Sequence, residues 1–343
     1  MLLIVGNRGG TNVGESLVRS AIMLGIGVSL FDARGGRSPF RIVNALLWRF
    51  GDKRPAKMRL FGQRLLERAT NDRAKALITT GLNPVSGRVI RALRSQGLVC
   101  MHYSTDDPWN PTQRANWFLR SLPEYNIIFS TRQSNIDDFL TLGCKEVRYL
   151  PFAYDEFIFG SGNGDSARVD AQVLFAGGAD RDRVDFIETL LARQIPISLV
   201  GGYWEQYPSV RRHALGYMTP EELGALTQAA KVNLCLVRRA NRDGHVMRSF
   251  EIAALGGCMV VEDTAEHRDI FGAEGECVLY FSSPDEAANK IRQLLADPRE
   301  RFRLGQAVRS RIVGGANTYT DRLRMMMAAG SEILRLTGHS PLI

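Results

Sequence analysis

Short apolar runs alternate with stretches of helical periodicity along most of the chain. In the first half, strands are predicted at 2–6, 28–33, 76–81, 98–105 and 125–131, and helices at 85–96, 111–121 and 133–142. Strict alternation of strand and helix is typical of βαβ units, whose parallel sheet is covered by helices on both faces. The first half is therefore predicted to be a doubly wound α/β domain.

The alternation stops at a polar segment and then restarts. Residues 160–168, GSGNGDSAR, lack periodicity and indicate a loop or linker. Beyond it, strands are predicted at 171–178, 197–202, 232–237 and 258–263, and helices at 181–193, 219–229 and 246–255. The pattern predicts two tandem Rossmann-like doubly wound domains facing across a cleft. They comprise residues 1–155 and 171–343, with a linker at 156–170 and a last helix that packs back on the N-terminal domain.

Composition is that of an ordinary globular protein of 343 residues, with 45% hydrophobic and 23% charged residues. No apolar run reaches the roughly 18 residues that span a bilayer. MLLIVGNRGG, at the start, has the pattern of a strand and a turn and not of a signal peptide. Five widely spaced cysteines without a CxxC pair predict neither disulfides nor a zinc site. We therefore expect a cytoplasmic protein.

The positive charge is concentrated in one segment. Residues 37–75 hold eleven Lys or Arg against three Asp or Glu, a net charge of +8 that equals the charge of the whole chain. Such a concentration indicates an anionic partner. Within it, SPFRIVNALLWRF (38–50) fits either an interfacial helix on the inner face of a membrane or a packed helix with a basic, solvated face. No nucleic-acid-binding motif is present, so nucleic acid is not expected.

The first glycine-rich loop, VGNRGGTNVGE (5–15), joins the first strand to the first helix. Its glycines lack the GxGxxG spacing of dinucleotide-binding folds, and no Walker lysine follows them. Gly9 and Gly10 still permit close backbone approach of a ligand to a helix N-terminus. The loop is either a ligand contact or simply a tight turn.

A second candidate site follows the strand at 232–237. The polar segment RRANRDGHVM (238–247) leads into a helix that carries Arg248, Ser249 and Glu251. A helix N-terminus and an arginine suit phosphate, and a carboxylate one turn further on can accept hydrogen bonds from a ribose diol. The alternative is a plain Arg248–Glu251 ion pair, worth about 0.2–0.5 kcal/mol.

A longer stretch of the sequence favours the ligand site over the plain ion pair, because it resembles a known family. Residues 247–305, from MRSFEIAALGG to LADPRERFRLG, closely resemble the C-terminal half of CgeB-like and group 1 or family-4 glycosyltransferases of the GT-B fold. The shared elements are RxFExxxxG, an EH segment, YFxSxxE, LADPxxR and a closing TYxxR. The resemblance is specific in the second half of the chain and weaker before residue 98. It implies a glycosyltransferase of hexosyltransferase type.

The resemblance also implies roles for individual residues. In the family's E-x7-E motif the second acid holds the donor ribose, which corresponds to Glu251, and Asp243 stands where the first Glu is expected. The remaining donor-side residues are the arginine after the glycine pair (Arg183 or Arg181), the phosphate contacts His245 and Arg248 with Ser249 beside them, Tyr217 near the base, and the Gly9–Gly10 loop.

The N-terminal domain offers candidates for a catalytic base. HYSTDDPWNP (102–111) follows a predicted strand, and its Asp106, Asp107 and His102 could take the proton of an acceptor hydroxyl in an inverting enzyme. A retaining enzyme needs no such base. Asp106 and Asp107 could also simply cap a turn before Pro108. No DxD motif is present, so no metal and no cofactor beyond the donor is expected.

These observations lead to a functional hypothesis with two alternatives. We expect a metal-independent transfer of sugar from a UDP- or GDP-type donor to a glycan, a lipid-linked carrier or another small acceptor. The donor would bind mainly to the C-terminal domain. A nucleotide-sugar 2-epimerase of the same fold and a non-catalytic nucleotide- or sugar-binding protein are the alternatives.

Overall fold

The computed structural model describes residues 1–160, 171–336 and 342. The chain forms two compact units. The N-terminal unit contains residues 1–151, the short segment 240–242 and the last helix of the chain. The C-terminal unit contains residues 152–239 and 243–318, of which 161–170 lie outside the described residues.

The N-terminal unit is built on a six-stranded parallel sheet with the strand order β2-β1-β3-β4-β5-β6. Its strands are β1 Leu2–Gly6, β2 Val28–Asp32, β3 Ala76–Thr80, β4 Val99–Ser104, β5 Ile127–Ser130 and β6 Val147–Tyr149. Its helices are α1 Val13–Met23, α2 Arg41–Phe50, α3 Met58–Asn71, α4 Gly87–Ser95, α5 Asn116–Leu119, α6 Ile136–Thr141 and the last helix of the chain, α14 Tyr319–Leu336.

The apolar strands of this sheet are buried on both faces. β1, β3, β4 and β5 are buried along their whole length, as expected for a parallel sheet covered by helices. One core packs α3 and α4 against the sheet, and α14 packs against α1 and β4. The last helix of the chain is therefore part of the N-terminal unit.

The C-terminal unit has a second six-stranded parallel sheet with the order β12-β11-β10-β7-β8-β9. Its strands are β7 Val173–Ala176, β8 Ile197–Val200, β9 Ala214–Gly216, β10 Val232–Cys235, β11 Met259–Glu262 and β12 Leu279–Phe281. Its helices are α7 Glu156–Phe159, α8 Arg181–Ala192, α9 Pro220–Ala229, α10 Met247–Ala254, α11 Ala265–Phe271, α12 Pro284–Ala296 and α13 Pro298–Val313.

Local sequence fixes where several of these helices begin. Thr219 caps α9 in a capping box with Glu222, each side chain accepting from the other residue's backbone N–H. Ser283 caps α12 and Asp297 caps α13, and in both helices proline follows at the first position.

The predicted fold class is confirmed, and several element assignments need correction. All nine predicted strands are present, but the short strands β6, β9 and β12 were not predicted. The helix predicted at 111–121 shrinks to the single turn of α5, because residues 105–115 are occupied by turns. The described part of the predicted linker is not a loop, since 156–159 form α7.

Both sheets have a point where the strand order reverses. In the N-terminal sheet it lies between β1 and β3, and in the C-terminal sheet between β7 and β10. Loops at the carboxyl ends of such strand pairs diverge to opposite faces and leave a crevice that binds ligands in many α/β proteins. The loops after β7 and β10 are therefore the first place to look for a site in the C-terminal unit.

Two further findings concern the chain as a whole. Among the described helices, none is long and apolar enough to cross a membrane. All five cysteines are buried free thiols.

Candidate functional site

Arg183 joins the loops after β7 and β10. Its guanidinium donates to the carbonyl oxygen of Gly178 (3.1 Å) after β7 and to that of Leu236 (3.2 Å) after β10. It also lies over the ring of Phe175. Burial, together with the nearby Arg238, lowers its pKa. Arg183 thus links the two loops that flank the crevice. Its guanidinium donates hydrogen bonds to backbone carbonyl oxygens, and it is not free to bind a phosphate through two N–H groups.

Other charged groups lie around the same crevice. Asp180 caps α8 by accepting from the N–H of Arg183 (3.1 Å), and its other oxygen is 3.3 Å from Nε of Arg238. Arg181, the alternative phosphate contact, begins α8 with an exposed side chain, 3.9 Å from Asp185. Of the arginines beside β7, Arg181 and Arg238 are thus the accessible ones.

α10 carries the central pair of the predicted site. The Arg248 guanidinium donates to the Glu251 carboxylate, three residues on. Glu251 is only 2% exposed, whereas the Arg248 side chain is 23% exposed. Burial raises the pKa of Glu251, and the neighbouring Arg248 opposes that shift. The pair exists, but it is not a surface ion pair, because its carboxylate is buried.

Two buried histidines hold this segment in place. His245 donates from Nδ1 to Glu266 (2.6 Å), and its Nε2 accepts from the N–H of Phe152 (3.0 Å). His267 bonds through Nε2 to the hydroxyl of Ser249 (2.8 Å) and donates from Nδ1 to a backbone carbonyl. Glu266 and His267 are the EH segment of the family resemblance, so this motif supports the start of α10.

These contacts correct two predicted roles. Both ring nitrogens of His245 are engaged within the protein, so neither is available to a phosphate. The hydroxyl of Ser249, fully buried, bonds to His267 and accepts the N–H of Val246 (3.2 Å). His245 and Ser249 therefore position the α10 N-terminus and do not themselves present a polar group to a ligand.

Tyr217 and Asp243 occupy more open positions. Tyr217 is 79% exposed, and its ring end lies against the backbone of Gly202, in the loop after β8. Asp243 is half-buried in the loop before α10, where its N–H donates to the carbonyl of Arg238 (3.3 Å). These positions do not test the two predicted roles. The contact of Tyr217 with the nucleotide base and the contact of Asp243 with the donor sugar stay predictions.

In the N-terminal unit, Gly9 and Gly10 form the turn between β1 and α1. Both have positive φ angles, 79° and 57°, and a Cβ on either would meet nothing within 4 Å. The N–H of Gly9 donates to Glu15 (3.2 Å). The glycines serve a left-handed turn with an open face, at the carboxyl end of one of the two strands that flank the reversal of order.

His102 is placed where it cannot act as a base. It lies in β4, fully buried, with Nδ1 2.8 Å from the hydroxyl of Thr79, which also bonds to Tyr125. Burial lowers the pKa of His102 to about 3. Since its ring faces the core instead of the carboxyl end of the sheet, the prediction of His102 as a catalytic candidate is wrong in this structure.

Asp107 is likewise committed to the fold. Both carboxylate oxygens accept from Arg242 (2.7 and 3.1 Å), and one also accepts from the side chain of Asn135 (3.0 Å) and the N–H of Trp109 (2.9 Å). Asp107 is 1% exposed. Because both oxygens already accept hydrogen bonds within the protein, this carboxylate is not placed to reach an acceptor hydroxyl.

Asp106 differs from its neighbour. It is half-buried, and within the described residues no group donates a hydrogen bond to its carboxylate. It lines a small cavity beside Gly81, at the carboxyl end of β3. Of the three predicted bases, Asp106 is the one that the structure leaves available.

Sequence reasoning missed several residues at these sites. Arg242 belongs to the N-terminal unit and bonds Asp107, although it follows β10 in sequence. Glu262 accepts from the N–H of Val237 (3.0 Å) and from Arg239 (3.2 Å), which fixes the loop after β10. Residue spacing gives no signal for either contact, because each joins residues far apart in the chain.

Comparison with known proteins adds family evidence. Residues 181–328 match the model of a family described as glycosyl transferase-like. No curated protein sequence is significantly similar to the chain. The matched range begins at α8 and ends within α14, so it leaves out β7.

The chain has the GT-B fold, and its residues 181–328 resemble a glycosyl transferase-like family. The predicted family resemblance and the predicted enzyme class, glycosyltransferase, are confirmed.

Solved structures share this architecture over nearly the whole chain. Sucrose-phosphate synthase from Thermosynechococcus elongatus matches with a TM-score of 0.69 and 17% identity, over 98% of this chain and 99% of that one. Anabaena Alr3699/HepE, in complex with UDP-glucose, gives 0.62 and 10%, over 96% and 99%. A putative UDP-N-acetylglucosamine 2-epimerase from Listeria monocytogenes gives 0.56 and 12%, over 97% and 96%. At these identities the likeness establishes the fold.

Proposed function

We propose that this GT-B protein transfers a sugar from a uridine diphosphate donor to an anionic or lipid-linked acceptor. One observation carries the donor half of the proposal. Glu251 is a buried carboxylate one turn into α10, the helix that follows β10 at the reversal of strand order. The UDP-glucose complex of a protein with the same fold supports the choice of a uridine nucleotide.

The donor site is assembled from contacts on the C-terminal unit. Glu251 accepts the two ribose hydroxyls, while Arg248, which is partly exposed, turns from Glu251 toward the diphosphate. Arg181 and Arg238 supply further positive charge at the neighbouring α8. Cationic side chains and a helix N-terminus can stabilise a departing diphosphate without a metal ion. We accordingly propose metal-independent transfer.

The acceptor half of the proposal rests on a cavity in the N-terminal unit. This cavity, of ≈ 370 Å³, is lined by Arg37, Lys53 and Arg54 together with Trp48 and Asn7. Three cations around one cavity favour an acceptor that bears a phosphate or carboxylate, and an indole ring offers a flat surface to a sugar. Asp106 is the proposed base if transfer inverts the anomeric centre.

The donor assignment is tested by substituting Glu251. We expect Glu251→Ala to weaken UDP binding about 10- to 100-fold, because it removes charge-assisted hydrogen bonds worth about 1.5–3 kcal/mol. Calorimetric titration with UDP, and with GDP, ADP, CMP and dTDP, measures the effect. Titrations run with and without EDTA test metal independence at the same time.

Glu300→Ala is the matched control. Glu300 forms an i,i+3 pair with Arg303 on the exposed side of α13, and its loss should leave UDP affinity unchanged. Equal affinity of Glu251→Ala and the native protein would overturn the ribose assignment. Incubation with a UDP-sugar then separates the alternatives. UDP release with sugar transfer supports the proposal, sugar isomerisation indicates an epimerase, and binding without turnover indicates a non-catalytic protein.

A further inference from the structure

Helix α2 presents its apolar face to solvent. Ile42, Leu46 and Phe50 recur every four residues and therefore lie on one face, with Val43 beside them. Ile42 and Phe50 are each 76% exposed, Leu46 is 54% exposed, and no residue of α2 is buried. An amphipathic helix of a globular protein ordinarily turns its apolar stripe toward its own unit.

The opposite face of α2 is the one that meets the rest of the unit. Asn44, Ala45, Leu47 and Trp48 line the basic cavity described above. Asn44 is held there by two hydrogen bonds with Ser38 (2.7 and 2.9 Å). The helix therefore turns this face toward its own unit, and its apolar stripe toward solvent.

Positive charge surrounds the exposed stripe. Arg41 and Arg49 lie in α2 itself, and Phe40, another apolar residue that is 70% exposed, lies immediately before the helix. Arg54 follows the helix and is exposed. In the described residues no carboxylate pairs with any of these three arginines.

We propose that α2 docks this protein on an anionic membrane surface. Ile42, Leu46, Phe50 and Phe40 would enter the boundary between headgroups and acyl chains, while the arginines would bind anionic headgroups. Apolar area combined with basic residues is what in-plane membrane binding requires. This inference concerns location, and it holds whether or not the donor assignment is correct.

Charge argues against a second copy of the chain as the occupant. The segment that contains α2, residues 37–75, has a net charge of +8. A symmetric dimer would place the same patch against itself and bring these charges together. A bilayer rich in acidic lipids offers instead both an apolar layer and a negative surface.

Vesicle flotation without any nucleotide sugar tests the proposal. The purified protein is mixed with vesicles of phosphatidylcholine alone or with about one third phosphatidylglycerol. We expect binding to the anionic vesicles only, weakened at high salt. Ile42→Ser/Phe50→Ser should lower the partition coefficient at least about tenfold, because it removes the two most exposed apolar side chains of the stripe.

Matched variants on other surfaces serve as controls. Ile22→Ser/Phe302→Ser replaces the same residue types at positions 66% and 70% exposed on α1 and α13, and should bind as the native protein does. Arg41→Glu/Arg49→Glu should abolish binding, whereas Arg211→Glu/Arg299→Glu should lower it far less. Melting temperatures confirm that each variant is folded.

Several outcomes would overturn the proposal. These are no binding to anionic vesicles, equal binding to neutral vesicles, or an equal loss in the control variants. A dimer in sedimentation experiments that the Ile42→Ser/Phe50→Ser variant dissociates, without vesicle binding, would assign the stripe to self-association instead.

Discussion

Two adjacent aspartates, Asp106 and Asp107, illustrate how far one residue's surroundings decide its chemistry. Asp107 accepts four hydrogen bonds, two of them from Arg242. The carboxylate of Asp106 lines an opening beside Gly81. The two neighbouring aspartates therefore differ in role. Asp107 stabilises the fold, and Asp106 is available as a catalytic base.

Substitution should separate these tasks. We expect Asp107→Asn to lower the free energy of unfolding by about 1–3 kcal/mol, because an amide nitrogen would replace one acceptor oxygen of a buried carboxylate. Asp106→Asn should leave stability within about 0.5 kcal/mol and reduce kcat of an inverting reaction about 100-fold or more. Urea denaturation and steady-state kinetics measure the two quantities. If Asp106→Asn keeps full kcat, Asp106 is not the base.

At this scale the sequence predicted residue identities better than residue roles. It pointed to Arg183, His245, Ser249 and Glu251, and the structure brings all four to the loops and helices that follow β7 and β10. The sequence could not show that both nitrogens of His245 are already bonded, because Phe152 and Glu266 are distant in the chain. Whether the polar atoms of a side chain already have hydrogen-bond partners depends on tertiary contacts. Neither residue spacing nor family resemblance predicts it.

At the scale of elements, α10 depends on its neighbours for its orientation. His267 at the start of α11 bonds Ser249, and Glu266 beside it bonds His245. Gly244 lies so close that a Cβ there would meet the Glu266 carboxyl at 2.5 Å. Close packing against Glu266 thus explains the glycine at position 244. The EH motif is explained by its hydrogen bonds to the residues that begin α10.

Buried histidines also make the elements sensitive to acid. Burial lowers the pKa of both His102 in β4 and His267 in α11 to about 3, whereas the unfolded chain titrates at about 6.5. Between these values the unfolded state binds more protons, so stability falls as pH decreases, by up to about 1.4 kcal/mol per pH unit for each histidine.

His102→Gln tests this dependence. We expect the variant to lose less stability than the native protein when the pH is lowered from 7.5 to 5, because it lacks one of the two histidines whose pKa burial lowers to about 3. Urea denaturation at each pH gives the free energies of unfolding. Parallel pH profiles for the two proteins would contradict the prediction, whatever the stability of the variant at pH 7.5.

The elements themselves were largely predictable. Long apolar runs such as those of β1 and β3 are buried throughout, which is why they were recognisable. The three strands that escaped prediction, β6, β9 and β12, have three residues each. A run so short has no periodicity of its own, and it is a strand only because a neighbouring strand supplies its hydrogen bonds.

For the whole molecule, the division into two units predicts that a ligand stabilises the unit to which it binds and not the other. Cys100 and Cys144 lie in the N-terminal unit, and Cys235, Cys258 and Cys277 in the C-terminal unit. Burial raises the pKa of every one of these thiols. Each thiol should therefore react with an alkylating reagent only when its own unit opens.

UDP should protect one set of thiols and not the other. At a UDP concentration 100 times Kd, we expect alkylation of the three C-terminal cysteines in dilute urea to slow about 100-fold. The rates at Cys100 and Cys144 should stay unchanged. Pulse alkylation and mass spectrometry of peptides give each rate. Equal protection of both sets would mean that the units unfold as one, and no protection would count against donor binding on the C-terminal unit.

The position of α14 has a consequence for how the protein is made. This helix packs against α1 and β4, yet it is synthesised after the entire C-terminal unit. At 5–20 residues per second, roughly ten to thirty seconds separate the emergence of β6 from that of α14. During that interval the nascent N-terminal unit has an uncovered apolar surface, so this unit is completed only after the C-terminal unit has been synthesised.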